Sequence, residues 1–89
     1  MVTLSLSGTL RGLIPDGDLR ADATTLGGLL DCLEALSPGF RTRVIDEEGL
    51  IRRYMNIYVD GHDARYTGGL ESDLTGADSI KILSAVAGG

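Results

Sequence analysis

Tryptophan is absent from these 89 residues, and there is one histidine, one cysteine and two prolines. Each scarcity removes a class of explanation. With Cys32 alone there is no internal disulfide framework, which fits a reducing compartment. With His62 alone, any Ser-His or Cys-His pair has to use it, and it sits beside an Asp60-Gly61 turn, where an exposed loop side chain is expected. One histidine and one cysteine cannot supply the nitrogen and sulfur ligands of a zinc site, so no metal is expected. Cys32 lies in a leucine-rich helical stretch with no basic neighbour in sequence to lower its pKa. A small half-buried thiol is expected there rather than a nucleophile. Glu47-Glu48 are adjacent in a turn instead of opposed across a cleft, and Gly68-Gly69 leads into Leu70-Glu71 without a phosphate-binding lysine. The chain by itself is not expected to be an enzyme.

Basic residues are scarce as well: 8 against 13 acidic, a net charge of −5. Phosphate repels a surface of this sign, so nucleic acid is not an expected partner. The excess acid is either a solvated surface or an attraction for a basic protein partner. No apolar run approaches the ~20 residues of a membrane span. The start, MVTLSLSGTLRGLI, alternates polar and apolar residues and lacks the basic stretch and apolar block of a signal peptide. A cytoplasmic protein with no membrane partner is expected.

What the chain does contain is periodicity. Val2, Leu4 and Leu6 alternate with Thr3, Ser5 and Ser7, the pattern of a strand with one buried face. The turn-rich GLIPDGD follows, with Asp16-Gly17 supplying a positive-φ step, and Leu19, Ala21 and Ala23 predict a second strand returning antiparallel. Thr24 or Thr25 can cap a helix. Leu26, Leu29, Leu30, Leu33 and Leu36 then form one apolar stripe, and Gly27 and Gly28 give room for close approach to a sheet. Ser37-Pro38-Gly39 ends that helix. Phe40, Val44 and Ile45 form a short helical turn over the core.

Further on, Met55, Ile57 and Val59 make the inward face of a strand and Tyr54, Asn56 and Tyr58 its outward face. Asp60-Gly61 is a hairpin signal, with His62 to Tyr66 as the return strand. Leu70 and Leu74 read as anchors under a loop, and Ser79 to Leu83 is a last strand with Ile80 and Ile82 inward. Four or five short strands against one main helix is an α+β layer architecture. Residues 1–83 form the domain and 84–89 a flexible C-terminal tail ending in Gly-Gly.

That tail, Ser84-Ala85-Val86-Ala87-Gly88-Gly89, has little side chain to bury. It is either a frayed terminus or the working part of the molecule. A terminal carboxylate can attack the α-phosphate of ATP if another protein positions it, and glycines let an extended backbone pass a narrow channel. Val86 is the one larger apolar residue a partner could grip.

Over essentially its whole length the chain resembles the ubiquitin-like sulfur carrier proteins. These include the small subunit of molybdopterin synthase, the thiamine sulfur carrier and the actinobacterial carriers serving cysteine synthesis. The likeness is strongest from Arg52 to Gly89, RRYMNIYVDGHDARYTGGLESDLTGADSIKILSAVAGG. NIYV, a charged turn, GGL, an acid before the last strand and IL-x-AVAGG occur there together.

The resemblance implies a β-grasp fold, a mixed sheet of four to five strands wrapping the Leu26–Leu36 helix. It implies that an enzyme related to ubiquitin-activating proteins, an adenylyltransferase and sulfurtransferase, uses ATP to adenylate Gly89. Sulfur then replaces AMP, and the thiocarboxylate serves a client synthase. Gly88, Ala87 and Val86 would thread the partner's channel, and no cofactor is bound by the carrier itself. Some relatives carry residues after Gly-Gly that a zinc peptidase removes; this sequence needs no such trimming as written. Ser84 stands where many relatives have proline, which implies a looser tail base. Leu83 and Tyr58, with Val86, form either an apolar docking patch or scattered surface hydrophobes. Two other roles stay open: a protein modifier joined to lysines through Gly89, and a stable molybdopterin synthase subunit.

Overall fold

Alternation in three segments and a helical stripe in a fourth decide the architecture of the computed structural model, which describes residues 2–14, 17–19 and 23–84. The strands are β1 (Val2–Ser7), β2 (Gly17–Leu19), β3 (Met55–Val59), β4 (His62–Asp63) and β5 (Ser79–Ser84); the helices are α1 (Leu26–Leu36) and α2 (Phe40–Val44). The sheet order is β2-β1-β5-β3-β4. β1 and β5 pair in parallel at the centre, and the remaining pairs are antiparallel. A parallel pair needs a crossover. Here α1 and everything else between the two central strands supply it, giving the expected β-grasp fold.

Leu4, Leu6, Met55, Ile57, Ile80 and Ile82 project from one sheet face onto Leu26, Leu29, Leu30 and Leu33 of α1, all fully or almost fully buried. Each such side chain contributes roughly 1.5–3 kcal/mol over leaving it exposed. Phe40, Val44 and Ile45 close one end of this core, as their spacing predicts. Thr25 is the cap of α1, its hydroxyl accepting from the Gly28 amide at 3.2 Å. α2 is far too short to be stable alone. Its first turn is held by Glu34, whose carboxylate accepts from the Gly39 and Arg41 amides at 2.7 and 2.9 Å.

Several expectations give way. Leu36, the last residue of the stripe, is 61% exposed, because the helix ends beyond the edge of the core. Cys32 is exposed rather than half-buried; burying positions 26, 29, 30 and 33 turns it outward. Gly27 makes its close approach to Leu70, not to the sheet: a Cβ there would lie 3.2 Å from the Leu70 carbonyl oxygen. Gly17, read as part of a turn, pairs with Leu4 in β2. Ala23 packs half-buried against the core, while Pro15, Asp16 and residues 20–22 lie outside the described residues. Ile14, in the stretch read as turn-rich, is buried, as is Leu10 just before it.

The return strand stops after Asp63. The Asp63 carboxylate accepts from the Arg65 amide at 2.9 Å and turns Ala64–Tyr66 into a 3-10 helix. Among the described residues, no helix is long and apolar enough to cross a membrane.

Candidate functional site

Every expected feature of the terminal chemistry hangs on β5, so its two ends define the site. Asp60 and Gly61 both have positive φ, +51° and +85°, which lets the chain reverse between β3 and β4 in two residues. Gly61 meets that demand without a Cβ; Asp60 is the described non-glycine residue that takes it. The turned Asp60 carboxylate accepts from the Ser79 amide at 2.9 Å and the Asp78 amide at 3.0 Å, while its own amide donates to the Ser79 carbonyl at 2.9 Å. These bonds, Ser79 first, hold the Asp60 carboxyl below its ordinary pKa. The start of β5 is thereby tied to the β3–β4 turn.

At the other end β5 runs to Ser84, one residue beyond the expected strand. Ser84 pairs with Met55 of β3. On its opposite flank lies Gly8, with φ of +69°; a Cβ on Gly8 would stand 2.6 Å from the Ser84 carbonyl oxygen and 2.8 Å from its Cβ. The looser base implied by serine in place of proline is therefore not what the fold provides, since Ser84 is inside the sheet. Its hydroxyl is buried without a hydrogen-bond partner among the described residues. Val86, Ala87, Gly88 and Gly89 lie outside the described residues.

The sheet face turned away from α1 brings Leu83 and Tyr58 together. Leu83 stands opposite Asn56 and Ser7, and Lys81 opposite Tyr58 and Ser5. Tyr58 and Leu83 are diagonal neighbours, within reach of one another for long side chains. Both are half-buried, and around them the face carries Ser5, Ser7, Asn56 and Lys81.

One residue the sequence reading passed over is Arg65, taken there as part of a return strand. Its Nη2 donates to the Met55 carbonyl at 2.7 Å and the Arg52 carbonyl at 2.9 Å, and its Nη1 to Asn56 Oδ1 at 3.3 Å. Gly8 was also missed. Its signal was the break in alternation after Ser7, whereas nothing local marks Arg65. His62 is exposed in β4, and with Asp60, Asp73 and Thr75 it borders a hollow of about 300 Å³. Among the described residues, no group of three or more His, Cys, Asp and Glu side chains is placed to hold a metal.

Known proteins share this fold. Residues 7–89 match the ThiS family. The sulfur carrier protein CysO of Mycobacterium tuberculosis is 42% identical over 73 residues, covering 80% of this chain and 78% of that protein. A chain of the crystal structure of the Amycolatopsis orientalis BexX/CysO complex superposes with a TM-score of 0.83 at 34% identity, over 100% of both chains. The solution structure of small archaeal modifier protein 1 from Methanosarcina acetivorans gives 0.75 at 27% identity, over 99% of this chain and 95% of that one. The match covers nearly the whole sequence, its last strand and its Gly-Gly included: this chain belongs to the ThiS family.

Proposed function

We propose that the protein is a sulfur carrier. The observation that carries this reading is the 42% identity to a sulfur carrier protein, joined to a last strand that runs to Ser84, five residues before Gly89. An adenylating enzyme related to ubiquitin-activating proteins binds the folded domain and draws in the tail, with Val86, Ala87 and Gly88 passing through its channel. The Gly89 carboxylate attacks the α-phosphate of ATP and pyrophosphate leaves. The acyl-adenylate is then attacked by a sulfur nucleophile at the oxidation level of sulfide, which expels AMP and leaves a thiocarboxylate. A client synthase takes the sulfur, and the carboxylate returns for another round. Tyr58 and Leu83 dock the partner, their diagonal placement on one face offering an apolar spot in polar surroundings. The complex of BexX with CysO supports a carrier of this shape that works bound to a second protein. ATP belongs to the activating enzyme.

Intact-protein mass spectrometry tests the reading. The chain is incubated with host extract, ATP and sodium sulfide beside a form lacking Gly88 and Gly89. A mass gain equal to one sulfur-for-oxygen exchange, confined to the full chain, is the expected outcome. No gain, in an extract shown to charge another carrier, overturns it.

The likeness to a small archaeal modifier protein favours a second role, isopeptide formation through Gly89. Recovery of this chain attached to lysines of other proteins in the same extract would establish it; free thiocarboxylate without conjugates would exclude it.

A further inference from the structure

β4 is two residues long and covers only Tyr58 and Val59 of β3. Among the described residues, the first part of β3 has no strand beside it on that edge, and carbonyls left there would be unsatisfied or open to a stray strand. The Arg65 guanidinium fills the gap. Its hydrogen bonds go to two carbonyls and an amide oxygen of the Arg52–Asn56 stretch and to no carboxylate among the described residues. One of those carbonyls belongs to Met55, the partner of Ser84. On the other flank, Gly8 lets the backbone come so close to Ser84 that no other residue fits without a shift. Two unrelated devices thus converge on the last described residue of β5.

We infer that Gly8 and Arg65 are positioning residues for the terminal chemistry: together they set the position of Ser84, the residue at which the tail begins. Bond lengths and the planar peptide carry the position of Ser84 directly into the start of residue 85. A partner that grips the folded domain and also admits the tail needs these two parts in register. A root displaced by about 1 Å starts the tail out of register with the docked domain, and a misplacement of that size at the reacting atoms can cost up to about 100-fold in rate. The inference rests on the sulfur-carrier reading.

The test uses the full chain with the host's purified adenylating enzyme, ATP and sodium sulfide, and follows thiocarboxylate formation by intact mass. Gly8→Ala, Arg65→Gln and Arg65→Lys are compared with wild type and with Val44→Ala, a core change in α2 that serves as a stability control. In Gly8→Ala and Arg65→Gln, kcat is expected to fall about tenfold while KM for the carrier stays within about twofold, because neither substitution changes Tyr58 or Leu83. Lysine keeps the charge but cannot span three oxygens, so Arg65→Lys is expected to behave like the glutamine variant. Amide exchange at Ser84, taken relative to that of the β3 core, should be faster in all three variants and unchanged in Val44→Ala, where a lower global stability speeds both alike.

Normal kcat in the Gly8 and Arg65 variants overturns the inference, as does an equal fall in Val44→Ala. Full rescue by lysine would assign Arg65 a purely electrostatic role and overturn its part. If the wild type is not charged by an enzyme active on another carrier, the sulfur-carrier reading itself has failed. Should Arg65→Gln not fold, Gly8→Ala and Arg65→Lys carry the comparison.

Discussion

Ser84 carries a buried hydroxyl with no partner among the described residues, in a strand whose backbone is otherwise well paired. A buried polar atom that makes no bond costs its desolvation and returns nothing. Ser84→Ala is therefore expected to leave stability within about 0.5 kcal/mol of wild type or to raise it, as read from urea midpoints. The same logic runs the other way at Ser72, also buried, whose hydroxyl lies 3.2 Å from Thr67 Oγ1 and donates to the Ala64 carbonyl at 3.4 Å. At Asp60 a side chain accepts a left-handed backbone because its carboxylate gains two amide bonds from the start of β5. The role of Asp60 cannot be read from its immediate neighbours in sequence, since its bonds reach 18 and 19 positions along the chain.

α2 shows how an element too short to persist is made stable by one side chain. The Glu34 carboxylate accepts from the Gly39 amide and then the Arg41 amide, with Arg41 beside it, and its pKa is lowered in that order of cause. A depressed folded pKa means that ionised Glu34 favours the folded state. That contribution is complete above the unfolded value, about 4.3, and is lost as pH falls through the lower folded value. Urea midpoints of wild type and Glu34→Gln should differ at neutral pH and converge progressively below about pH 5. A gap that persists unchanged into acid would remove Glu34 from this role. α1 contrasts with it: a hydroxyl cap and four buried leucines make it legible from sequence alone. β4 was misjudged because alternation continues on paper to Tyr66, while the Asp63 side chain captures the Arg65 amide and ends the strand.

For the molecule as a whole, the parallel β1–β5 pair joins the two halves of the chain under one helix, so the core is expected to unfold as a unit. Ile57 lies fully buried at the middle of β3, opposite Ile82. Ile57→Ala should cost about 2–5 kcal/mol in a single urea transition. That is a large share of the roughly 5–15 kcal/mol available to a domain. Removing Gly88 and Gly89, by contrast, takes away no side chain and should leave the midpoint unchanged while abolishing charging. The opposite sensitivities separate the scaffold from the segment expected to react.

Alternation and helical spacing were enough to place β1, α1, β3 and β5 and, Leu36 apart, to pick the inward residues of each. Those patterns report which face meets water, and that is a local property of the chain. The motifs at the end of the chain likewise pointed to its family. What only the tertiary structure decided is how Ser84 is held, between a glycine that admits its backbone and an arginine that satisfies the strand beside it. Gly8 and Arg65 lie 76 and 19 positions away from Ser84 in sequence. Contacts formed over such separations exist only after the sheet has assembled, because they depend on which strands become neighbours and where each one stops.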